Sequence, residues 1–463
     1  MPSTTAYLGL ALAGLIASTT FITPTAQLHA GASRLTAAPR PTAPVADSSL
    51  DDLKIVVLGS SVPFGQGATG KYGYAVRYGT LLARRASAKQ GAPWTLTNIS
   101  IPGDNTVKVL ARWRRDLLPQ RGRYVVLALS LGNEGIHERG QPMFDQFKAN
   151  LQQLIAMARA QGMVPVVTNC YTRNDYTPTD YAFIRQMNLL LHTWDVPSVN
   201  LLGAVDDGAG HWAAGYWDDA LHPNDLGHAE LAHAIVPSLF DALRAGKVRP
   251  RKQATSFVRL GPQRRGEATS LALRPEALLH PFTQVVSFRT AGTGQVLALQ
   301  DSTARGSVAI APGGTLTYTS AKGGRLAGKR VNDNRWHQLI LTHYYAAGHT
   351  VLYLDGAEVG RLPEKLLTRQ LTLGGSLAPA GGQYRNWLFY RAGLNAAEVR
   401  ALAADSLLQS SLELYAPLDG HRTFIADSLT NLAQSTNRLQ VRMNTNPPRG
   451  TQPVKTSRRK VSR

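Results

Sequence analysis

LKIVVLGSS (residues 53–61), continuing as VPFGQGATGKYG to residue 73, is the stretch that decides the fold. Its apolar run does not alternate with polar residues, which predicts a strand buried on both faces, as in a parallel sheet with helices on either side. The run stops at Gly59-Ser60-Ser61, and a glycine-bearing loop leads into the helix-like segment YAVRYGTLLARRA. Such sheets place reactive groups at the C-terminal ends of their strands. Ser61, or its neighbour Ser60, therefore sits where a nucleophile belongs.

Further out, the same alternation repeats. Strand-like runs recur at WTLTNISI (94–101), YVVLALSL (124–131), MVPVVTNC (163–170) and VPSVNLL (196–202), separated by amphipathic segments. An α/β region is expected over 51–246. Residues 247–266 are basic and read as a linker. Beyond them helical periodicity ends, and short strand-like runs with Gly and Asp-Gly turn signals predict an antiparallel β-sandwich over 267–418. LNAAEVRALAADS reads as a helix that closes it, and LELYAPL as a last strand.

At 463 residues, with 43% hydrophobic and 17% charged residues, the chain is that of an ordinary globular protein of two domains. Its first apolar run, AYLGLALAGLIA (6–17), is shorter than the ~20 residues of a membrane-spanning helix and matches the core of a signal peptide. The expectation is a signal peptide over 1–32, a flexible leader over 33–50, and a secreted, periplasmic or cell-surface protein with no transmembrane segment. Cys170 is the single cysteine, which rules out an intramolecular disulfide, and it reads as a strand-end thiol. The net charge of +20 is concentrated in the linker and in the tail over 419–463, which is expected to be disordered. That tail suits an anionic polymer or surface; nucleic acid is not expected, because no aromatic residues interleave the basic ones.

Two nucleotide-like patterns fail on inspection. Gly65-x-Gly67-x-x-Gly70 begins too far beyond the strand end for a dinucleotide fingerprint, and Tyr72 follows Lys71 where a P-loop needs Ser or Thr. Asp219-Ala-Leu-His222-Pro223 carries more. An Asp three residues before a His, just ahead of a helix, can orient the imidazole and leave its other nitrogen to take a proton from a serine. An acyl-transfer site also needs donors for the developing oxyanion, each worth about 3 kcal/mol. Gly103, in the loop after the second strand, and Asn133, in Leu131-Gly-Asn-Glu134, are candidates.

These blocks, Gly59-Ser-Ser61, the loop at Gly103, Gly132-Asn-Glu134 and Asp219-x-x-His222-Pro223, resemble in order and spacing those of the SGNH (GDSL-like) hydrolases. The resemblance implies a three-layer α/β/α fold with a five-stranded parallel sheet. It implies Ser61 as nucleophile, His222 as base, Asp219 as its orienting partner, and an oxyanion hole from the Ser61 and Gly103 N–H groups and the Asn133 amide. Ser60 stands where the family usually has Asp, and Glu134 where it usually has Asp. The C-terminal part resembles the laminin-G-like or concanavalin-like sandwiches through Asn334-Arg-Trp336-His-Gln-Leu339, the Val351–Gly356 hairpin and Asn386-Trp387 through Leu394. Trp336 and Trp387 read as core residues.

The expected function is that of an exported serine esterase that deacylates a carbohydrate polymer, with acetyl among the acyl groups, and that uses no metal or organic cofactor. The alternatives are a lipase or thioesterase of the same fold, and a non-catalytic glycan-binding surface protein. The basic tail is expected to be dispensable for turnover of small esters.

Overall fold

The five strand-like runs become β1 (Asp51–Gly59), β2 (Thr95–Asn98), β3 (Gly122–Ala128), β4 (Val164–Thr168) and β5 (Ser198–Val199), all parallel and ordered β2-β1-β3-β4-β5. The computed structural model describes residues 50–253, 256–262, 268–419 and 430–443. The expected signal peptide over 1–32 and nearly all of the expected leader lie outside the described residues.

Both faces of β1 are buried. Val56 and Leu58 pack with the helices Gln141–Ala160 and Pro178–Thr193, while Ile55 and Val57 pack with Tyr74–Ser87 and Asp225–His233. This two-sided covering explains the missing alternation in the sequence. The amphipathic segment TVKVLARWRRDLL (106–118) between β2 and β3 is α-helical only over Thr106–Arg112, with Asn105 as its N-cap, and continues as a π-turn over Trp113–Leu117.

The second region begins earlier than expected. Strand β6 (Val258–Leu260) lies within the stretch read as a linker. There follow β7 (Ala268–Leu273), β8 (Phe282–Arg289), β9 (Gly294–Gln300), β10 (Arg305–Ile310), β11 (Thr315–Thr319), β12 (Arg325–Arg330), β13 (Trp336–Tyr344), β14 (His349–Leu354), β15 (Ala357–Pro363), β16 (Gln370–Gly374), β17 (Gly382–Tyr390), β18 (Leu412–Ala416) and β19 (Gln440–Met443). One antiparallel sheet runs β12-β11-β10-β9-β16-β7-β19 and the other β15-β14-β13-β8-β17-β18, with β6 beside β17. Leu271, Leu297, Leu373, Val286, Leu341 and Trp387 are among the residues filling the space between them. The far side of the second sheet is covered by the helix Ala396–Ala403, through Val399 and Leu402 on Ile340, Tyr353 and Tyr390.

Three expectations need correction. The tail is not uniformly disordered: Asn431, Ala433 and Ser435 are buried, and β19 pairs with β7, because Leu439 and Val441 supply apolar residues to the sandwich. The linker is anchored as well, Lys247 Nζ donating to the carbonyls of Asn431, Ala433 and Ser435. Trp387 is core, but Trp336 is only half-buried, with the Arg385 guanidinium 4.0 Å from its ring centre.

The two regions meet along a polar seam within one compact unit. His192 receives the N–H groups of Gln409 and Ser410 on Nδ1, which leaves its Nε2–H to donate to Glu398 at 3.0 Å. Asn200 donates to the same carboxylate at 2.8 Å. Ser411 N–H donates to Ser198 O, capping the free edge of β5 with sandwich backbone. Arg391, almost fully buried, bonds Glu413 and the carbonyls of His233 and Leu278. Among the described residues no helix is long and apolar enough to cross a membrane.

Candidate active site

Ser61 opens the one-turn helix Ser61–Phe64 at the end of β1 and is buried. Its hydroxyl donates to His222 Nε2 at 3.0 Å. His222 Nδ1 lies 2.9 Å from each oxygen of Asp219, so the carboxylate fixes the tautomer with the proton on Nδ1. Asp219 is itself held by its own turn, accepting the N–H groups of Leu221 and His222 at 2.8 Å. Burial works against the Asp219 charge, but the hydrogen bonds from His222 and the Leu221 N–H outweigh it and hold this carboxyl below the usual range. Ser60, the other sequence candidate, is fully buried, and Ser61 is the serine on His222.

The two remaining candidates lie on the loops after β2 and β3, the strands flanking β1. Gly103 has φ +76°, and a Cβ there would meet nothing within 4 Å, so the backbone is strained for other residues but open to solvent. Asn133 ends a short turn at Leu131–Asn133 and donates one Nδ2 proton to Asp104 O at 2.9 Å. Its second amide proton remains for a ligand.

Sequence reading missed the groups that hold these loops together. Arg112, buried, donates to Asp104 at 2.6 Å, to Ile99 O at 3.0 Å and to Gly59 O at 3.4 Å, tying the ends of β1 and β2 to the loop that carries Gly103. Glu134, noted in sequence only as a departure from the usual Asp, accepts the Thr106 N–H at 2.6 Å and Gln146 Nε2 at 3.1 Å, fixing the loop after β3 to the start of the helix Thr106–Arg112. The Asn105-Thr106 cap ahead of that helix was the only visible signal.

The loop after Ser61 is locked to the loop of His222. His228 Nε2 donates to Gln66 O at 2.8 Å while its Nδ1 accepts the Tyr74 N–H, and burial pulls its pKa down to about 4. Asp225 accepts from Thr69 Oγ1 at 2.6 Å. Gly67, at φ +86°, passes so close to Pro223 O that a Cβ would lie 2.2 Å from it. Of the three glycines only Gly67 serves this loop-to-loop packing; Gly65 packs on Lys71 O of its own loop, and Gly70 has a positive φ with nothing within 4 Å of a Cβ. Cys170 is buried, its backbone bonded on both sides by Asn188, and burial pushes its thiol up to about 12.

A serine, imidazole and carboxylate in one hydrogen-bonded line at the strand ends of a five-stranded α/β sheet define a hydrolase of the SGNH type of fold. Residues 57–230 match the model of the GDSL-like lipase/acylhydrolase family, and this stretch is a domain of that family. The protein is a serine hydrolase acting on ester bonds. No curated protein matches it. Among solved structures it is similar to an acetylxylan esterase from Geobacillus stearothermophilus, with 18% identity, a TM-score of 0.33, and 40% of this chain and 93% of that one covered. It is also similar to an alpha/beta hydrolase enzyme from the metagenome of Lake Arreo, Spain, with 19% identity, a TM-score of 0.31, and 40% and 94% covered.

Proposed function

We propose that this enzyme is an exported esterase that removes acyl groups, acetyl among them, from a carbohydrate polymer. The observation that carries the catalytic part is the unbroken line Ser61 Oγ, His222 and Asp219, with both contacts at 2.9–3.0 Å. His222 takes the Ser61 proton as Oγ attacks the ester carbonyl, and Asp219 stabilises the imidazolium that forms. The Ser61 and Gly103 N–H groups and the free Asn133 amide proton receive the oxyanion. His222 then returns the proton to the leaving alcohol, and water activated by the same imidazole releases the acid from the acyl-enzyme.

Export rests on the apolar run at 6–17, which matches the core of a signal peptide. The carbohydrate substrate is supported by the coupling of the ester site to a sandwich that resembles the laminin-G-like family. In this reading the sandwich presents polymer to the enzyme.

The test is release of p-nitrophenol and of acetate, from p-nitrophenyl acetate and from acetylated xylan and acetylated polygalacturonate, by Ser61→Ala and Ser60→Ala. Ser61→Ala should lower turnover by at least about 10³-fold with unchanged circular dichroism, and Ser60→Ala should retain most of it. Reversal of the two would move the nucleophile by one position. Turnover of the aryl ester without acetate release from either acetylated xylan or acetylated polygalacturonate would remove the proposed substrate.

A further inference from the structure

The second sandwich sheet is covered on both sides, but the outer face of the first has no helix over it among the described residues, and a groove of about 490 Å³ crosses it. Its shape follows from the strand register. Ser307, Ala298 and Thr372 lie side by side across β10, β9 and β16, all facing away from the core because their chain neighbours Val308, Leu297 and Leu371 are fully buried inside. This row of small side chains is the floor. Two residues along each strand stands a row of long ones: Arg305 donates to Gln300 at 2.6 Å, and Arg274 donates to Gln370 at 3.0 Å, with Gln300 and Gln370 paired in register. The opposite bank has Gln295 and Arg442, the latter in register with Ser270.

We infer that this trough is a binding site for a strand of acidic polysaccharide, one carrying carboxylates on its sugars. Small residues flanked by amides and guanidiniums give a channel rich in hydrogen-bond donors, the complement of a polyhydroxylated chain with anionic groups. No Asp or Glu lines the groove, and neither Arg305 nor Arg442 has an ion-pair partner among the described residues. The absence of an aromatic side chain in the lining argues against a flat, neutral glycan held by stacking. All lining residues belong to the sandwich, so the site is separate from Ser61. It deepens the carbohydrate reading of the proposed function by naming the class of polymer.

The test measures binding of the full-length protein to polygalacturonate and to neutral arabinoxylan, at low and high salt, with p-nitrophenyl acetate turnover followed in parallel. Arg305→Ala combined with Arg442→Ala removes the charge at two exposed positions. Ala298→Phe fills the floor without changing charge. Polygalacturonate should bind more weakly at high salt, and each variant should weaken it by about tenfold or more, with ester turnover unchanged. The inference is overturned if polygalacturonate does not bind, or if its binding is lost only on truncation after Met443 and ignores both trough variants. It is also overturned if arabinoxylan binds as tightly and independently of the two arginines. Polygalacturonate binding without ester turnover in the wild-type protein would leave the trough standing and strike the esterase reading alone.

Discussion

Asp219 sits beside a second aspartate in sequence, and only one of the two touches the imidazole. Asp218 instead donates its backbone N–H to His222 O, which helps close the turn. Asp219→Asn should therefore lower kcat by at least about tenfold with KM nearly unchanged, because the amide would favour the wrong imidazole tautomer. Asp218→Asn should cost little, and kinetics of both variants on one soluble ester will show the difference. Arg112 makes a different case, since it touches no reacting atom but organises the loops that do. Arg112→Met leaves Asp104 buried and unpaired, which should reduce stability by about 3–5 kcal/mol in urea denaturation. Asp104→Asn in the same background should recover part of that loss. The triad residues were legible because catalysis constrains residue type and spacing. Arg112 was not, because its partners are two backbone carbonyls and the carboxylates of Asp104 and Asp116, which only the folded chain brings together around it.

At the scale of the element, the loop over 62–73 shows how far a glycine pattern can mislead. Its three glycines look like a phosphate cradle, yet the structure uses the close approach of Gly67 to Pro223 to seat the nucleophile loop against the histidine loop. Gly67→Ala should lower ester turnover well below wild type, because both the positive φ and the 2.2 Å contact forbid a Cβ without moving Pro223, the residue after His222. His228 tests the same contact by pH. With its pKa lowered to about 4, it stays neutral in the fold while the unfolded chain takes up a proton below about 6.5. The unfolded state then binds more protons, so this group's contribution is complete above pH ~6.5 and is lost as pH falls towards 4. Compared with His228→Gln, wild type should lose stability on acidification from pH 7 to 4.5. The check is thermal melts of both proteins across that range.

At the scale of the whole molecule, the polar seam joins a catalytic half to a sandwich that sequence reading had separated by a linker. Glu398→Ala would leave the His192 Nε2–H and an Asn200 amide proton buried without an acceptor, at a cost of about 2–4 kcal/mol. The melting temperature should fall, while turnover of a small ester at 25 °C persists. The tail divides similarly. Truncation after Met443 should leave small-ester turnover unchanged, whereas truncation from Arg438 onward removes Leu439 and Val441 from the sandwich core and should lower the melting temperature.

By itself the sequence determined the order of the five parallel strands along the chain, the change to antiparallel sheets, and the residue types of the ester site. Each of these is written locally, as an apolar period, a turn signal or a short motif of fixed spacing. Tertiary structure decided the strand order in space, the Arg112 and Glu134 ties beneath the candidate oxyanion loops, the buried seam at His192 and Glu398, and the trough on the open sheet. These depend on side chains up to about two hundred positions apart, such as His192 and Glu398. A buried polar group and its distant partner carry no shared period along the chain, so their pairing exists only once the fold has desolvated both.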